Sequence, residues 1–246
     1  MNISQIEQMI VKRKSVRSIS ESPLTEKDLN MILSFTQNAS PLFPAIRTSI
    51  RLLTRAEIQT FTSVFAPHYL AVYSETSSDS QLNVGFILQQ TDLYISSLGL
   101  GSCWLGMTKP KQTDYDGLTF VILLAFGKPE EDVHRISVNQ FKRKSLAEIS
   151  SPGAIPSYIE AVRLAPSAMN KQPWYFTGED RSCRIFSVRG KGLINIAEGW
   201  RFVDLGIAMA HLSISAKASG NSVLFKREDS IPFRCGSEYI LSCKVE

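Results

Sequence analysis

Apolar residues recur at helical spacing near the start of the chain, so the sequence opens with two predicted helices. Ile6, Met9 and Ile10 indicate a short first helix that ends near residue 12. Thr25 and Asp28 have the spacing of a capping box, which predicts the start of a second helix. Two segments rich in β-branched and aromatic residues follow and predict strands: AIRTSIRLL and HYLAVYSE.

A longer helix and a buried strand come next. Apolar positions between residues 84 and 98 are spaced by three and four residues, which predicts a helix. Gly99 suits the end of that helix, and the segment GLGSCWLG then leads towards a strand. The run LTFVILLAFG is apolar almost throughout and has the length of a strand. It therefore predicts a central strand that is covered on both faces.

The second half begins with a change of composition. A boundary is predicted near Ser150, in the proline- and serine-rich segment EISSPGAIPS. Ser157 and Glu160 form another capping-box pattern, which predicts a helix that stops before Pro166. A strand–turn–strand segment, a long helix ending at Gly220 and two strands complete the prediction.

The order of elements in the two halves is similar. A helix, a turn and a buried strand at 84–98 and 118–126 are followed by the same series at 200–218 and 238–245, with an offset of about 120 residues. We therefore predict a diverged internal duplication, with halves at residues 1–150 and 151–246. Strands that alternate irregularly with helices favour an α+β fold over a doubly wound one.

The composition is that of an ordinary folded protein. The chain has 246 residues, 43% hydrophobic and 20% charged, which is enough for one large domain or two small ones. Its apolar runs are shorter than a bilayer span, and its first residues lack the pattern of a secretory signal. We therefore expect a cytoplasmic protein with no membrane partner.

The cysteines and histidines do not have the spacing of a metal site. There is no C-x-x-C pair, and the chain has only three histidines. Free buried thiols are favoured over disulfides, and no metal is expected. The cysteines are Cys103, Cys183, Cys235 and Cys243.

Positive charge is concentrated in two segments. The net charge is +4, and basic residues cluster in VKRKSVRS and NQFKRKSLAE. Three interpretations are open: two solvated basic faces, two segments that converge on an anion such as phosphate, or a nucleic-acid surface. Stacking aromatic residues are not interleaved with either cluster, which disfavours the third, so no nucleic-acid partner is expected.

The segment GLGSCWLG is similar to two active-site motifs but lacks the context of both. A dinucleotide fingerprint follows a strand, whereas a predicted helix precedes this segment and Trp104 stands where the third glycine should be. A papain-type nucleophile needs a histidine far downstream, and His134 and His211 lie at unsuitable separations from Cys103. Cys103 is therefore predicted to be a packing residue.

Five segments together resemble the flavin-dependent nitroreductase family. They are RKSVR, GLGSCWLG, GKPEE, KRKSLAEI and APSAMNKQPW, and the resemblance covers most of the chain. APSAMNKQPW is the most specific of them. Members of that family are usually homodimers that bind FMN in clefts to which both subunits contribute. The resemblance implies a nitroreductase-like α+β fold with mixed or antiparallel sheets and flanking helices.

The resemblance also implies a set of cofactor-binding residues and no dedicated catalytic residue. Guanidinium groups suit the FMN phosphate because they bind its oxygens through paired, charge-assisted hydrogen bonds. Gln172 would support the turn beside the flavin, and a glycine would let the backbone approach the ring. The implied phosphate-binding residues are Arg13, Lys14, Ser15, Arg17, Lys142 and Arg143. The implied ring-lining residues are Trp104, Leu105, Gly106, Pro166, Ser167, Ala168 and Asn170.

The order of these motifs departs from that of the family. The P-S-x-x-N segment normally lies in the same half as R-R-S-x-R, but here that place holds TQNASPLFPAIRT, and the segment occurs only in the second half. The second half in turn has no copy of RKSVR. Each half thus supplies what the other lacks, which predicts a single-chain pseudo-dimer with one FMN site. Such a site needs no partner subunit, so a monomer is compatible with it.

The implied activity is hydride transfer from NAD(P)H, through FMN, to a nitroaromatic or quinone-like small-molecule acceptor. Two alternatives stay open: a flavin-free member that acts as a binding or structural module, and a flavin enzyme of another reaction type. Trp200 and Phe202 are likewise open to two interpretations. They either cover the pocket and select the acceptor, or belong to the core.

Overall fold

The computed structural model describes residues 3–60, 62–189, 196–229, 231 and 236–246, and for residues 196 and 197 only the backbone. This part of the chain forms the predicted α+β fold, in which antiparallel sheets are flanked by helices. The helices are α1 (Ile3–Ile10), α2 (Glu26–Gln37), α3 (Ser80–Ser97), α4 (Leu146–Ile149), α5 (Ile159–Leu164) and α6 (Arg201–Ala218). The strands are β1 (Thr48–Thr54), β2 (Ile58–Thr60), β3 (His68–Ser74), β4 (Gly101–Leu105), β5 (Thr108–Pro110), β6 (Asp114–Tyr115), β7 (Leu118–Gly127), β8 (Trp174–Glu179), β9 (Ser182–Val188), β10 (Val223–Lys226) and β11 (Ser237–Val245).

The first sheet has the strand order β1-β3-β7-β4, and its strand pairs are antiparallel. Alternate side chains of β7 enter different hydrophobic clusters, because successive residues of a strand point to opposite faces. Leu124 and Phe126 belong to the main core with the long helices, whereas Leu123 and Ala125 belong to a cluster on the other face. The prediction that this strand is covered on both faces is confirmed.

The second sheet has the strand order β10-β11-β9-β8 and is also antiparallel. In each half, two paired strands come first along the chain, then a long helix, then a short edge strand and a longer inner strand. The strand order β1-β3-β7-β4 of the first sheet therefore corresponds to the order β8-β9-β11-β10 of the second sheet. This shared order supports the predicted internal duplication.

The helices α3 and α6 have 18 residues each and cross one another at two glycines. A Cβ atom on Gly85 would overlap the carbonyl group of Val203, and one on Gly206 would overlap the carbonyl group of Leu82. Counted from Ser80 and Arg201, both glycines are the sixth residue of their helix. The crossing is therefore close to two-fold symmetric, like an isologous interface within one chain. Side chains from both halves share the main hydrophobic core.

One helix start differs from the prediction. The helix α5 begins after Tyr158 without a side-chain cap, so the capping box expected from Ser157 and Glu160 is wrong. Glu160 instead pairs with Arg163 one turn later, at 2.5 Å. The cap predicted at Thr25 is confirmed.

None of the described helices combines the length and apolar character that a membrane crossing requires.

Candidate functional site

Residues from both halves of the chain line one cavity of about 160 Å³. The first half contributes the segment after α1 and the end of β4, and the second half contributes the loop before β8 and the start of α6. Seven predicted site residues lie on its wall: Ser15, Arg17, Trp104, Gly106, Pro166, Ser167 and Ala168. Five further lining residues matter below: Cys103, Ile122, Met169, Trp200 and Asp204.

The loop of residues 165–172 is held in a tight conformation by its own hydrogen bonds. Met169, Asn170 and Gln172 have φ values of 50°, 56° and 47°, in the left-handed region that few non-glycine residues adopt. The backbone N–H of Gln172 donates to Ser167 Oγ at 2.9 Å, and its Nε2 donates to the carbonyl of Asn170 at 3.2 Å. The supporting role predicted for Gln172 is confirmed.

Asp204 connects α6 to this loop. Its two carboxyl oxygens accept a shared hydrogen bond from the backbone N–H of Ala168, at 2.9 and 3.1 Å. The residue is 3% exposed. Its burial outweighs that hydrogen bond and raises the pKa of Asp204 from 3.8 to about 8, so the carboxyl group is protonated at neutral pH.

Arg143 and Asn170 form a contact between the two halves. Arg143 Nη1 donates to Asn170 Oδ1 at 2.7 Å, and its Nη2 donates to the carbonyl of Leu164 at 3.2 Å. Asn170 Nδ2 donates to the carbonyl of Lys142 at 2.5 Å. The late basic pair of the sequence therefore adjoins the P-S-x-x-N segment.

Arg13, the first arginine of RKSVR, is buried against a carboxylate of α3. Its Nε lies 2.8 Å from Asp92 Oδ2, and its Nη1 lies 3.4 Å from Ser15 Oγ on the cavity wall. Asp92 also accepts hydrogen bonds from Ser102 Oγ at 2.5 Å and from Trp104 Nε1 at 3.1 Å. A single buried carboxylate thus fixes the arginine of one motif and the indole of another.

Guanidinium groups gather beside the cavity. Burial and the nearby arginines Arg135, Arg13 and Arg163 lower the pKa of Arg143 to about 10. Arg13 Nη2 and Arg143 Nε are buried and have no hydrogen-bond partner among the described residues. Because buried donors are normally paired, unpaired donors in a positive cluster favour a bound anion.

Lys14 is engaged elsewhere. Its Nζ pairs with Glu131 at 3.0 Å. Glu131 also accepts hydrogen bonds from the backbone N–H groups of Arg17 and Ser18, and these contacts together lower the pKa of Glu131 to about 2. Lys14 does not line the cavity, and its assignment to a phosphate stays a prediction.

Trp200 and Phe202 have different surroundings. Trp200 lines the cavity, and a Cβ atom on Gly106 would lie 2.7 Å from its Nε1. Gly106 therefore makes room for the indole ring of Trp200, which agrees with the interpretation that this side chain covers the pocket. Phe202 packs on the main core, with the guanidinium group of Arg201 4.5 Å from its ring centre.

Cys103 is a buried packing residue, as predicted. Burial raises the pKa of its thiol, which opposes a nucleophilic role. Leu105 is buried opposite Leu123 of β7 and is not among the residues that line the cavity, so its approach to a flavin ring stays a prediction. The sulfur atoms of Cys183 and Cys243 lie 3.0 Å apart as free thiols, while Cys235 lies outside the described residues.

The comparisons with known proteins agree with the fold described above. A family model described as "Putative TM nitroreductase" matches residues 5–216. A solved structure described as a "putative nitroreductase" from Thermotoga maritima is 22% identical, with a TM-score of 0.66 over 99% of this chain and 93% of that chain. At this identity, the likeness establishes the fold. No curated protein matches the sequence.

Two further solved structures match only part of the chain. A nitroreductase family protein from Clostridium difficile is 17% identical, with a TM-score of 0.48 over 62% of this chain and 98% of that chain. An FMN-dependent nitroreductase from the same species is 15% identical, with a TM-score of 0.43 over 57% of this chain and 99% of that chain.

Proposed function

This chain belongs to the family described as "Putative TM nitroreductase", and we propose that it is an FMN-dependent oxidoreductase. It passes a hydride from NAD(P)H to a nitroaromatic or quinone-like acceptor. The observation that carries the proposal is the cavity to which both halves contribute predicted flavin-site residues, with a cluster of partly unpaired guanidinium groups beside it.

The guanidinium cluster fits the phosphate of FMN. Arg13 and Arg143 each carry a buried N–H group without a described partner, and mutual repulsion among the arginines disfavours the charged cluster in the absence of an anion. A phosphate would accept these hydrogen bonds and neutralise part of the charge. Arg17 extends the positive charge onto the cavity wall.

The cavity fits one face of a flat, partly apolar ring. Trp104, Ile122 and Trp200 supply apolar surface, whereas Ser167 and Asp204 supply polar groups. A few polar groups in an apolar setting are typical of cofactor sites. The enclosed space of about 160 Å³ is below the range of roughly 300–1,000 Å³ for such sites. We therefore expect the ring to lie partly outside it, towards the exposed Met169.

Bound FMN would supply hydride transfer between the nicotinamide and the acceptor. The protein's own contribution is binding and orientation. Asp92 fixes the Trp104 side chain, and Gln172 fixes the loop that carries Ser167 and Ala168. Trp200, on the cavity wall, would restrict access of water and of bulky acceptors to the cavity. Backbone groups of Leu105 and Gly106, at the end of β4, would approach the ring.

The test is to purify the protein, measure its flavin absorbance, and assay NAD(P)H oxidation with a nitroaromatic compound and a quinone. We expect a yellow protein that releases FMN on denaturation and is reduced by NADH or NADPH. A colourless protein that does not bind added FMN would overturn the proposal.

The second candidate function is a flavin-free binding module. The small cavity and the close packing of Trp200 on Gly106 favour it, because an indole could occupy the space that a ring would need. Under that alternative, Trp200→Ala would open the site and create FMN binding that the wild-type chain lacks. Under the oxidoreductase proposal, the wild-type chain binds FMN already.

A further inference from the structure

Asp204 and Asn83 occupy equivalent positions in the two halves. Counted from Arg201 and Ser80, each is the fourth residue of its helix. Each also holds the loop that precedes the first sheet strand of its half. Asn83 Oδ1 accepts from the backbone N–H groups of Leu42 and Phe43, at 2.9 Å each, as Asp204 accepts from Ala168.

An amide oxygen is therefore sufficient to hold such a loop. A carboxyl group in the same place is costly to bury and adds nothing to that contact. The two residues differ in what they face, because Asp204 lines the cavity shared by the two halves, whereas the described lining of that cavity does not include Asn83. What an acid offers there, and an amide does not, is a proton that can be given up and regained.

The surroundings of Asp204 keep this proton available. In the described part of the chain, the charged and titratable groups on the same cavity wall are Arg17 and Cys103, and neither forms an ion pair with Asp204. On the same helix, Arg201 is turned away and pairs with Glu198 and Glu238. Lys171, within the loop, is exposed. Burial without a cationic partner keeps the carboxyl group neutral.

We propose that the carboxyl group of Asp204 is the proton donor to the acceptor bound in this cavity. The inference rests on the proposed function. For a quinone, the acceptor takes up a hydride, with its two electrons, from the reduced cofactor. Asp204 transfers its proton to the second quinone oxygen, so that the product is the hydroquinone. Asp204 is left as a carboxylate and regains a proton from water.

The experiment isolates the step in which the acceptor is reduced. FMN-loaded protein is reduced with dithionite without oxygen and mixed rapidly with tetramethyl-1,4-benzoquinone at pH values on both sides of 8. We expect the wild-type rate constant to fall as pH rises through about 8. In Asp204→Asn, the amide keeps the loop contact, and we expect a rate about 100-fold lower at neutral pH without this pH dependence.

A matched control and a readout independent of turnover complete the test. Asn83→Asp adds an acid at the equivalent place in the other half, and its rate and pH profile should equal those of the wild type. Infrared spectra of the FMN-free protein should show a protonated carboxyl band at neutral pH that Asp204→Asn lacks.

Three outcomes would overturn this inference and leave the proposed function intact. Asp204→Asn could keep the wild-type pH profile, or the wild-type spectrum could lack the protonated carboxyl band. Asp204→Asn could also slow the reduction of the flavin by NAD(P)H as much as it slows the reduction of the acceptor. Failure of the wild-type protein to bind FMN would overturn the proposed function itself, and this inference with it.

Discussion

At the residue scale, Asp92 joins side chains from two of the predicted site segments. It is fully buried and is the one charged side chain of α3, where it meets Arg13, Ser102 and Trp104. Asp92→Ala would leave the guanidinium group buried without a counter-charge. We expect the free energy of unfolding, measured in urea, to fall by about 3–5 kcal/mol.

The double variant Asp92→Leu with Arg13→Met is the control for this prediction. It removes both charges, so its loss in free energy of unfolding should be much smaller than the sum of the losses of the two single variants. Additive losses would show that the ion pair does not couple the two residues.

Arg143 allows the phosphate assignment to be separated from general damage to the site. Arg143→Ala should weaken FMN binding at least about tenfold, because charge-assisted hydrogen bonds are worth about 1.5–3 kcal/mol each. Riboflavin has no phosphate, so its binding should change little. Fluorescence titration with both flavins measures the difference. Arg189→Ala, at an exposed position, is the control and should affect neither.

Asp204 should also leave a signature in the pH dependence of stability. Its pKa is raised from 3.8 to about 8 on folding, so the folded protein binds this proton more tightly than the unfolded chain. The stabilisation is complete below pH 3.8 and is lost as pH rises through about 8. Between these values, this group lowers the free energy of unfolding by about 1.4 kcal/mol per pH unit.

Asp204→Asn should remove that slope and be more stable than the wild type near pH 7. Urea unfolding of both proteins across this pH range measures the difference. Parallel curves would contradict the raised pKa.

At the scale of elements, the crossing of α3 and α6 sets the relation between the two halves. Gly85→Ala and Gly206→Ala each improve helix propensity, by about 1 kcal/mol on propensity alone. Each would also drive a methyl group into the backbone of the opposite helix. We expect a net loss of stability of at least about 1–3 kcal/mol, seen as a lower thermal midpoint.

Gly199→Ala is the matched control, because a Cβ atom there meets no other atom within 4 Å. Its thermal midpoint should stay near that of the wild type. If all three substitutions had the same effect, close helix contact would not explain the glycines.

Long periodic segments could be predicted from the sequence, whereas short ones could not. The helix α3 and the strand β7 were found because their apolar patterns extend over many residues. The strands β2, β5 and β6 have two or three residues each, which is too short for a periodic signal. The predicted cap at Ser157 failed because a capping pattern does not exclude a later start, here after Tyr158.

The candidate site was predicted where a motif carries it and missed where only packing reveals it. Ser15, Trp104 and Ser167 could be assigned through local segments. Asp92 and Asp204 could not, because their partners are far away in sequence or are backbone atoms. A signal existed for Asp92: a lone charge in an otherwise uncharged, buried helix needs a partner. No comparable signal in the sequence identified Arg135, whose positive charge helps to lower the pKa of Arg143.

At the scale of the whole molecule, the two halves have the same sheet order and their long helices cross almost symmetrically. In the described part of the chain, the predicted site residues nevertheless line one cavity that both halves share. The backbone N–H of Phe43 donates to Asn83, as that of Ala168 donates to Asp204. The side chain of Phe43 packs on the main core. The second half also lacks a copy of RKSVR. The shared architecture and the unequal motifs are what the predicted duplication, with one of two sites retained, would produce.

This asymmetry predicts how many cofactors the chain binds. One FMN per chain is expected, because the segment that holds Phe43 lacks the P-S-x-x-N motif and the second half has no copy of RKSVR for a second phosphate. FMN released by denaturation, measured by absorbance against protein concentration, gives the ratio. Arg143→Ala should reduce the bound fraction in a single phase, as loss of one site requires. Two FMN per chain, or a second phase untouched by Arg143→Ala, would show that the chain has a second flavin site.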